Sequence, residues 1–131
     1  MTGKGAYLLF MKFRRTHDVT MSLGTLHIEK GEYCYVGSAM NGLDSRIGRH
    51  MSSEKKIHWH IDHLTVRTDQ KEAYVTIMKE CLLAAAAEES GCVPVFKGFG
   101  CSDCRCATHL FFVNEVSKQK LLNMTHAVPF S

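Results

Sequence analysis

The run Gly5-Ala6-Tyr7-Leu8-Leu9-Phe10-Met11-Lys12-Phe13 constrains this chain more than any other stretch. It is apolar and aromatic almost throughout, far shorter than the ~20 residues of a membrane helix, and it frays into Arg14-Arg15. Such a run reads as a buried strand. Its backbone N–H and C=O groups must find partners away from water, so the chain is committed to a sheet.

Further elements are legible downstream. A turn at Thr16-His17-Asp18 leads into Val19–Leu23, and Gly24 separates that strand from Thr25–Glu29. Lys30-Gly31 marks the next turn, and Tyr33–Val36 closes an antiparallel sheet built from hairpins. That strand is expected to end in a tight turn at Gly37-Ser38-Ala39. Leu43, Ile47 and Met51 then fall at i, i+4 and i+8, predicting a helix from Leu43 to about Ser52 with these three as its buried stripe. Ser53–Lys56 reads as a solvated link, and Ile61–Arg67 and Ala73–Met78 as strands. Glu80–Glu89, rich in Leu, Ala and Glu and stopped by Ser90-Gly91, is the strongest helix signal. Val93–Phe96 is a short extended segment, Gly98–Thr108 a glycine- and cysteine-rich loop, and His109–Val113 a buried strand. Asn114 is an N-cap for a helix from Glu115 to about Asn123, and the tail from Met124 is expected to be loose. The fold class is a single α/β (α+β) domain over residues 1–131, a small antiparallel or mixed sheet flanked by helices.

Composition narrows the functional classes. With 131 residues, 45% hydrophobic and 22% charged, the chain can bury a core without staples. A net charge of +3 permits nucleic-acid contact without demanding it. The opening Met1-Thr2-Gly3-Lys4-Gly5 has no apolar leader, so the expected location is the cytoplasm and the six cysteines are expected as thiols or metal ligands. No membrane partner is expected.

Chemistry-bearing residues concentrate between Tyr33 and Leu64. Tyr35 precedes the turn, Arg46 and His50 lie one helical turn apart, and His58-Trp59-His60-Ile61-Asp62-His63 adds three imidazoles and a carboxylate. A tyrosine, guanidinium and imidazole converging in this way suit phosphodiester chemistry, because a fixed guanidinium can donate to two phosphoryl oxygens at once. Arg46, Arg49, Lys55 and Lys56 form a modest basic face for DNA. If His58–His63 were a strand, His58 and His60 would face one way and His63 the other, which excludes a three-histidine metal site. Trp59 reads as a core or lid residue. A second cluster, Cys101, Cys104, Cys106 and His109, carries zinc-type ligands in compressed spacing, with Cys92 as an alternative fourth. The alternative to zinc is a loop of packed thiols.

The motifs also carry a resemblance. Gly5-Ala6-Tyr7 and Tyr35-Val36-Gly37 resemble the paired signatures of the GIY-YIG nuclease superfamily, and Arg46 and His50 resemble its helix residues. From residue 5 to about 113, YVGSA, RIGRH, HWHID, ECLLA and FGCSDCRC are similar to an uncharacterised, mostly archaeal family related to those nucleases. The resemblance implies a metal-dependent DNA endonuclease in which Tyr7 and Tyr35 flank the scissile phosphate and Arg46 grips it. It also implies His50, with His58 or His60, as further catalytic histidines, and Glu80 as ligand to Mg²⁺ or Mn²⁺. Residues 14–32 then read as an inserted hairpin. Two other readings stand beside it: a catalytically silent nucleic-acid-binding or adaptor domain that keeps the pocket's shape, and a zinc-stabilised domain whose partner is a protein. In those readings Tyr7 and Tyr35 are core residues of apolar strands, and Glu80 is an ordinary acid at a helix N-terminus.

Overall fold

Every residue of the apolar run from Ala6 to Met11 is buried, with at most 1% of its surface exposed. The run lies in β1 (Gly5–Phe13), whose stretch from Ala6 to Met11 has no solvent face because both sides of the sheet are covered there, while Lys12 is exposed. A computed structural model of the protein describes residues 5–39, 43–52, 56–57, 59–100 and 106–130. His58, Lys55, Cys101 and Cys104 lie outside the described residues, as does the Asn41-Gly42 pair.

In chain order, β1 is followed by β2 (His17–Met21), β3 (Gly24–Ile28), β4 (Gly31–Ala39), α1 (Leu43–Met51) and α2 (His60–Thr65). Then come β5 (Gln70–Thr76), α3 (Glu80–Glu89), β6 (Val93–Pro94), β7 (Leu110–Val113), α4 (Glu115–Thr125) and β8 (Val128–Pro129). Six strands form one sheet in the order β6-β7-β4-β1-β5-β8, and every neighbouring pair is antiparallel. The two edges are a Val-Pro pair each, Val93-Pro94 on one side and Val128-Pro129 on the other. β2 and β3 form a separate two-stranded hairpin between β1 and β4.

Two cores lie on opposite faces of the sheet. Tyr7, Leu9, Met11 and Phe13 of β1 pack under the hairpin (Val19, Leu26, Ile28), α1 (Leu43, Ile47) and α2 (Ile61, Leu64). Ala6, Leu8 and Phe10 pack with Leu83, Ala84 and Ala87 of α3 and Leu121 of α4. Lys118 of α4 reaches back over the Phe10 ring to Glu32 of β4 and Glu72 of β5. No described helix is long and apolar enough to cross a membrane.

Four expectations are corrected. Residues 61–67 were expected as a strand, but His60–Thr65 is α2. Asp62 Oδ2 accepts the Trp59 backbone N–H at 2.9 Å and the Arg49 guanidinium at 2.7 Å, and the buried Ile61 and Leu64 fall three apart. The alternating-face argument for His58, His60 and His63 therefore lapses. Gly37-Ser38-Ala39 is not a turn, because β4 stays paired to β1 out to Gly5↔Ala39. The glycine serves the Tyr7 ring instead, since a Cβ on Gly37 would lie 2.3 Å from Tyr7 Cζ. The tail from Met124 is tied down: α4 runs to Thr125, Phe130 N–H donates to Ala73 O at 2.9 Å, and β8 pairs with β5. Among the expected helix-one stripe, Leu43 and Ile47 are buried but Met51 is 39% exposed.

Candidate active site

Antiparallel pairing brings four chain segments to one end of the sheet. β1 begins there, β4 ends there, and Ala6 lies opposite Thr76, where β5 ends just before Glu80 opens α3. β7 also begins there, with the Val36 N–H donating to His109 O at 2.8 Å. α1 starts shortly after β4 and lays Arg46 and His50 back over the same end.

Tyr7 and His50 form the centre. The Tyr7 hydroxyl and His50 Nε2 are 2.6 Å apart, and each residue is only 1% exposed. Tyr35 stands beside both, its ring 6.3 Å from Tyr7 and 6.1 Å from His50. Trp59 covers the helix side, 6.2 Å from His50, with the Arg46 and Arg49 guanidinium carbons 4.5 and 5.0 Å above its ring. Trp59 is thus a lid on the cluster, held by cation–π contact.

The phosphate-type residues attach through Ser38. Arg46 Nη1 donates to Ser38 O at 3.1 Å, while Ser38 Oγ donates to Glu80 Oε1 at 3.1 Å. Glu80 Oε2 lies 3.0 Å from His109 Nδ1. Arg46 also reaches the Tyr7 hydroxyl. The expected residues Tyr7, Tyr35, Arg46, His50 and Glu80 are therefore brought together. Ser38 and His109 complete the constellation, and sequence reasoning did not assign them this role. Ser38 lies in the YVGSA motif, at a position whose sequence reads as a turn.

Electrostatics separate the members. Burial pushes the Tyr7 phenol up, Tyr35 and Glu80 add to that, and Arg46 opposes it without prevailing. Desolvation of the Tyr7 phenol thus outweighs the guanidinium beside it. Burial would also raise Glu80, but the His109 ring, the Ser38 hydroxyl and Arg46 hold its carboxyl below the ordinary value. Glu80 is thus ionised at neutral pH, with its side chain 28% exposed. A single ionised, partly solvated carboxylate fits Mg²⁺ or Mn²⁺, which keep several waters and take one or two carboxylates.

Other candidates lie elsewhere. Arg49 is bound to the buried Asp62 and to Lys56 O at 2.8 Å, so it braces α1 against α2. The Lys56 side chain is exposed. His60 Nε2 lies 3.0 Å from Ser22 Oγ in the hairpin turn, and its ring is 6.1 Å from that of Phe99. Cys92 lies in the core beside Ser117 of α4 and is not a member of the group that Cys106 and His109 form. Cys106 and His109 do meet, but the third residue with them is Cys81, whose ligand atom lies within 4.8 Å of theirs. Cys81 was missed because nothing in sequence links the start of α3 to the cysteine loop.

A family model described as a domain of unknown function, DUF123, matches residues 6–129, from the second residue of β1 to the end of β8. No curated protein and no solved structure matches the chain.

Proposed function

Because the chain belongs to the DUF123 family across its whole sheet, we propose that the family's pocket at this end of the sheet is a phosphodiester-processing site of GIY-YIG type, acting on DNA. The observation that carries the reading is that one end of the sheet holds both a Tyr7–His50 pair at 2.6 Å and Ser38 joining Arg46 to Glu80 through two bonds of 3.1 Å. Five separate short motifs similar to the related archaeal family add to it.

The chemistry follows from the charges. Arg46 is the residue that binds the phosphate, because its guanidinium offers several donors in a fixed plane and never loses its charge. With Tyr7's proton held by burial, His50 Nε2 is the better acceptor of the pair. A water losing its proton to the Tyr7 oxygen, as the Tyr7 proton passes to His50, would supply hydroxide without forming a phenolate. Glu80 would hold a divalent cation, which when bound supplies Lewis-acid stabilisation of the phosphoryl and leaving oxygens. Ser38 and His109 fix that carboxylate's orientation. Tyr35 walls the phosphate's other side.

One observation favours the silent DNA-binding reading. Tyr7 and His50 are closed to solvent, so substrate reaches them only if the side chains around them move. The two readings part in one experiment: purified protein is incubated with supercoiled plasmid and with branched DNA, in Mg²⁺ or Mn²⁺ and in EDTA. Nicking in metal alone, abolished in Glu80→Gln, is expected. Retained DNA binding with no cleavage of either substrate would transfer the assignment to the silent domain.

A further inference from the structure

The cluster of Cys81, Cys106 and His109 adjoins the pocket through His109, and its two thiols have no role in the phosphate chemistry. Its three ligand atoms come from segments far apart in the chain, the first turn of α3 and the four residues leading into β7, and all lie within 4.8 Å of one another. Cys106-Ala107-Thr108-His109 is a chelating arm with two residues between its ligands, the spacing common in zinc sites. Cys81 closes on it from across the sheet end. This meets the requirement that the compressed Cys101–His109 spacing failed, namely ligands from two separated segments.

We propose that Cys81, Cys106 and His109 bind one zinc ion, with Glu80 orienting the histidine. Tetrahedral zinc at ~2.3 Å from sulfur and ~2.0 Å from nitrogen sets its ligand atoms roughly 3.5 to 3.8 Å apart. The observed cluster needs a closure of about 1 Å, within the reach of cysteine rotamers. Two thiolates and one imidazole are the donor set of a borderline-soft ion, whereas Mg²⁺ prefers oxygen. His109 is fully buried with Nδ1 at 3.0 Å from Glu80 Oε2, a carboxylate placed beside the ring as in sites where one orients a metal-binding histidine. Cys81 is exposed and Cys106 half-buried, so the ion has a path in. Three protein ligands leave one position of the tetrahedron to solvent or a further donor.

The site would tie the start of α3 to the start of β7, and Glu80 sits next to Cys81 in that clamp. Zinc would thereby hold the carboxylate of the neighbouring pocket in place without touching substrate. This inference does not depend on the nuclease reading, since a silent DNA-binding domain would carry the same clamp.

The test uses the full chain made without a histidine tag and purified under reducing conditions. Elemental analysis is expected to give about one equivalent of zinc, and Cys81→Ser, at an exposed helix position, about a tenth or less. Cobalt titration of the metal-free protein is expected to give thiolate-to-cobalt charge-transfer and tetrahedral d–d absorption, with the charge-transfer band cut by about half in Cys81→Ser. Glu80→Gln should keep both thiolate bands but weaken zinc binding about 10- to 100-fold. A wild-type protein with less than about a tenth of an equivalent, and no cobalt bands, would overturn the proposal. So would zinc binding unchanged in Cys81→Ser, or a Cys81–Cys106 disulfide found by mass spectrometry under reducing purification.

Discussion

Tyr7 and Gly37 lie directly opposite each other on β1 and β4, and the tyrosine ring occupies the space where a side chain on residue 37 would be. That single cross-strand pair explains why a tyrosine near the start of the chain and a Tyr-Val-Gly motif far downstream belong to one unit. The ring leans over the glycine and delivers its hydroxyl to His50, so backbone approach and pocket geometry are one arrangement.

Gly37→Ala should therefore destabilise strongly. A methyl group 2.3 Å from Tyr7 Cζ meets a buried ring held at its far end by His50, so a loss of about 3 kcal/mol is expected. In a Tyr7→Ala background the same substitution should cost less, by a coupling of about 1 to 2 kcal/mol. Urea melts of the four proteins in the cycle measure it, and additive costs would show that the ring is not what excludes the methyl.

Arg46→Ala should reduce DNA cleavage by at least ~100-fold while costing about 1 kcal/mol or less of stability. Arg46 is only partly buried, and its partners Ser38 O and the Trp59 face keep other neighbours. Plasmid nicking and thermal melts run side by side decide it. Equal cleavage by both proteins sinks the nuclease reading.

Arg49→Ala should behave in the opposite way. Its partner Asp62 has a fully buried side chain, and removing the guanidinium leaves that charge with less compensation. Because Arg49 is itself 30% exposed, the expected cost is about 2 kcal/mol rather than the larger value of a fully buried pair. Thermal melts test it, and a variant as stable as wild type would return Arg49 to the DNA-facing surface.

Alkaline pH should loosen the fold through Tyr7. Its folded pKa is raised above the ordinary value near 10, so the neutral phenol's contribution is fully present below that pH and lost as pH rises beyond it. Lys118 adds in the same direction: burial would lower it, but Glu72 and Glu32 hold it raised, and its contribution fades at still higher pH. Tyr7's share is the difference between wild type and Tyr7→Phe. Melting temperatures from pH 9 to 11 should fall less steeply in the variant, and parallel slopes would refute the assignment.

How far this was legible in sequence varies by residue. β1, the Leu/Ala helix Glu80–Glu89 and the Asn114 cap are local statements, and the structure realises them, the cap through Asn114 Oδ1 accepting from Ser117 N–H at 2.8 Å. α2 was not legible, because six residues hold too few periods to tell a helix from a strand, and what decides the matter is Asp62 answering Arg49 of another helix. In the site, Tyr7, Tyr35, Arg46 and His50 were found through motifs. Ser38 and His109 were not assigned to Glu80, since only strand pairing and the placement of α3 bring them to it. Cys81 escaped for the same reason.

The Val-Pro pairs at both sheet edges have a consequence for how this molecule meets others. They use the chain's two prolines, Pro94 and Pro129, one on each outermost strand. Proline offers no N–H to an incoming strand, and a two-residue border gives little to template on. Fibril-like stacking and capture of an extended peptide by strand addition are therefore disfavoured at these two borders. Self-association by edge-to-edge pairing is thereby opposed at both ends of the strand order at once.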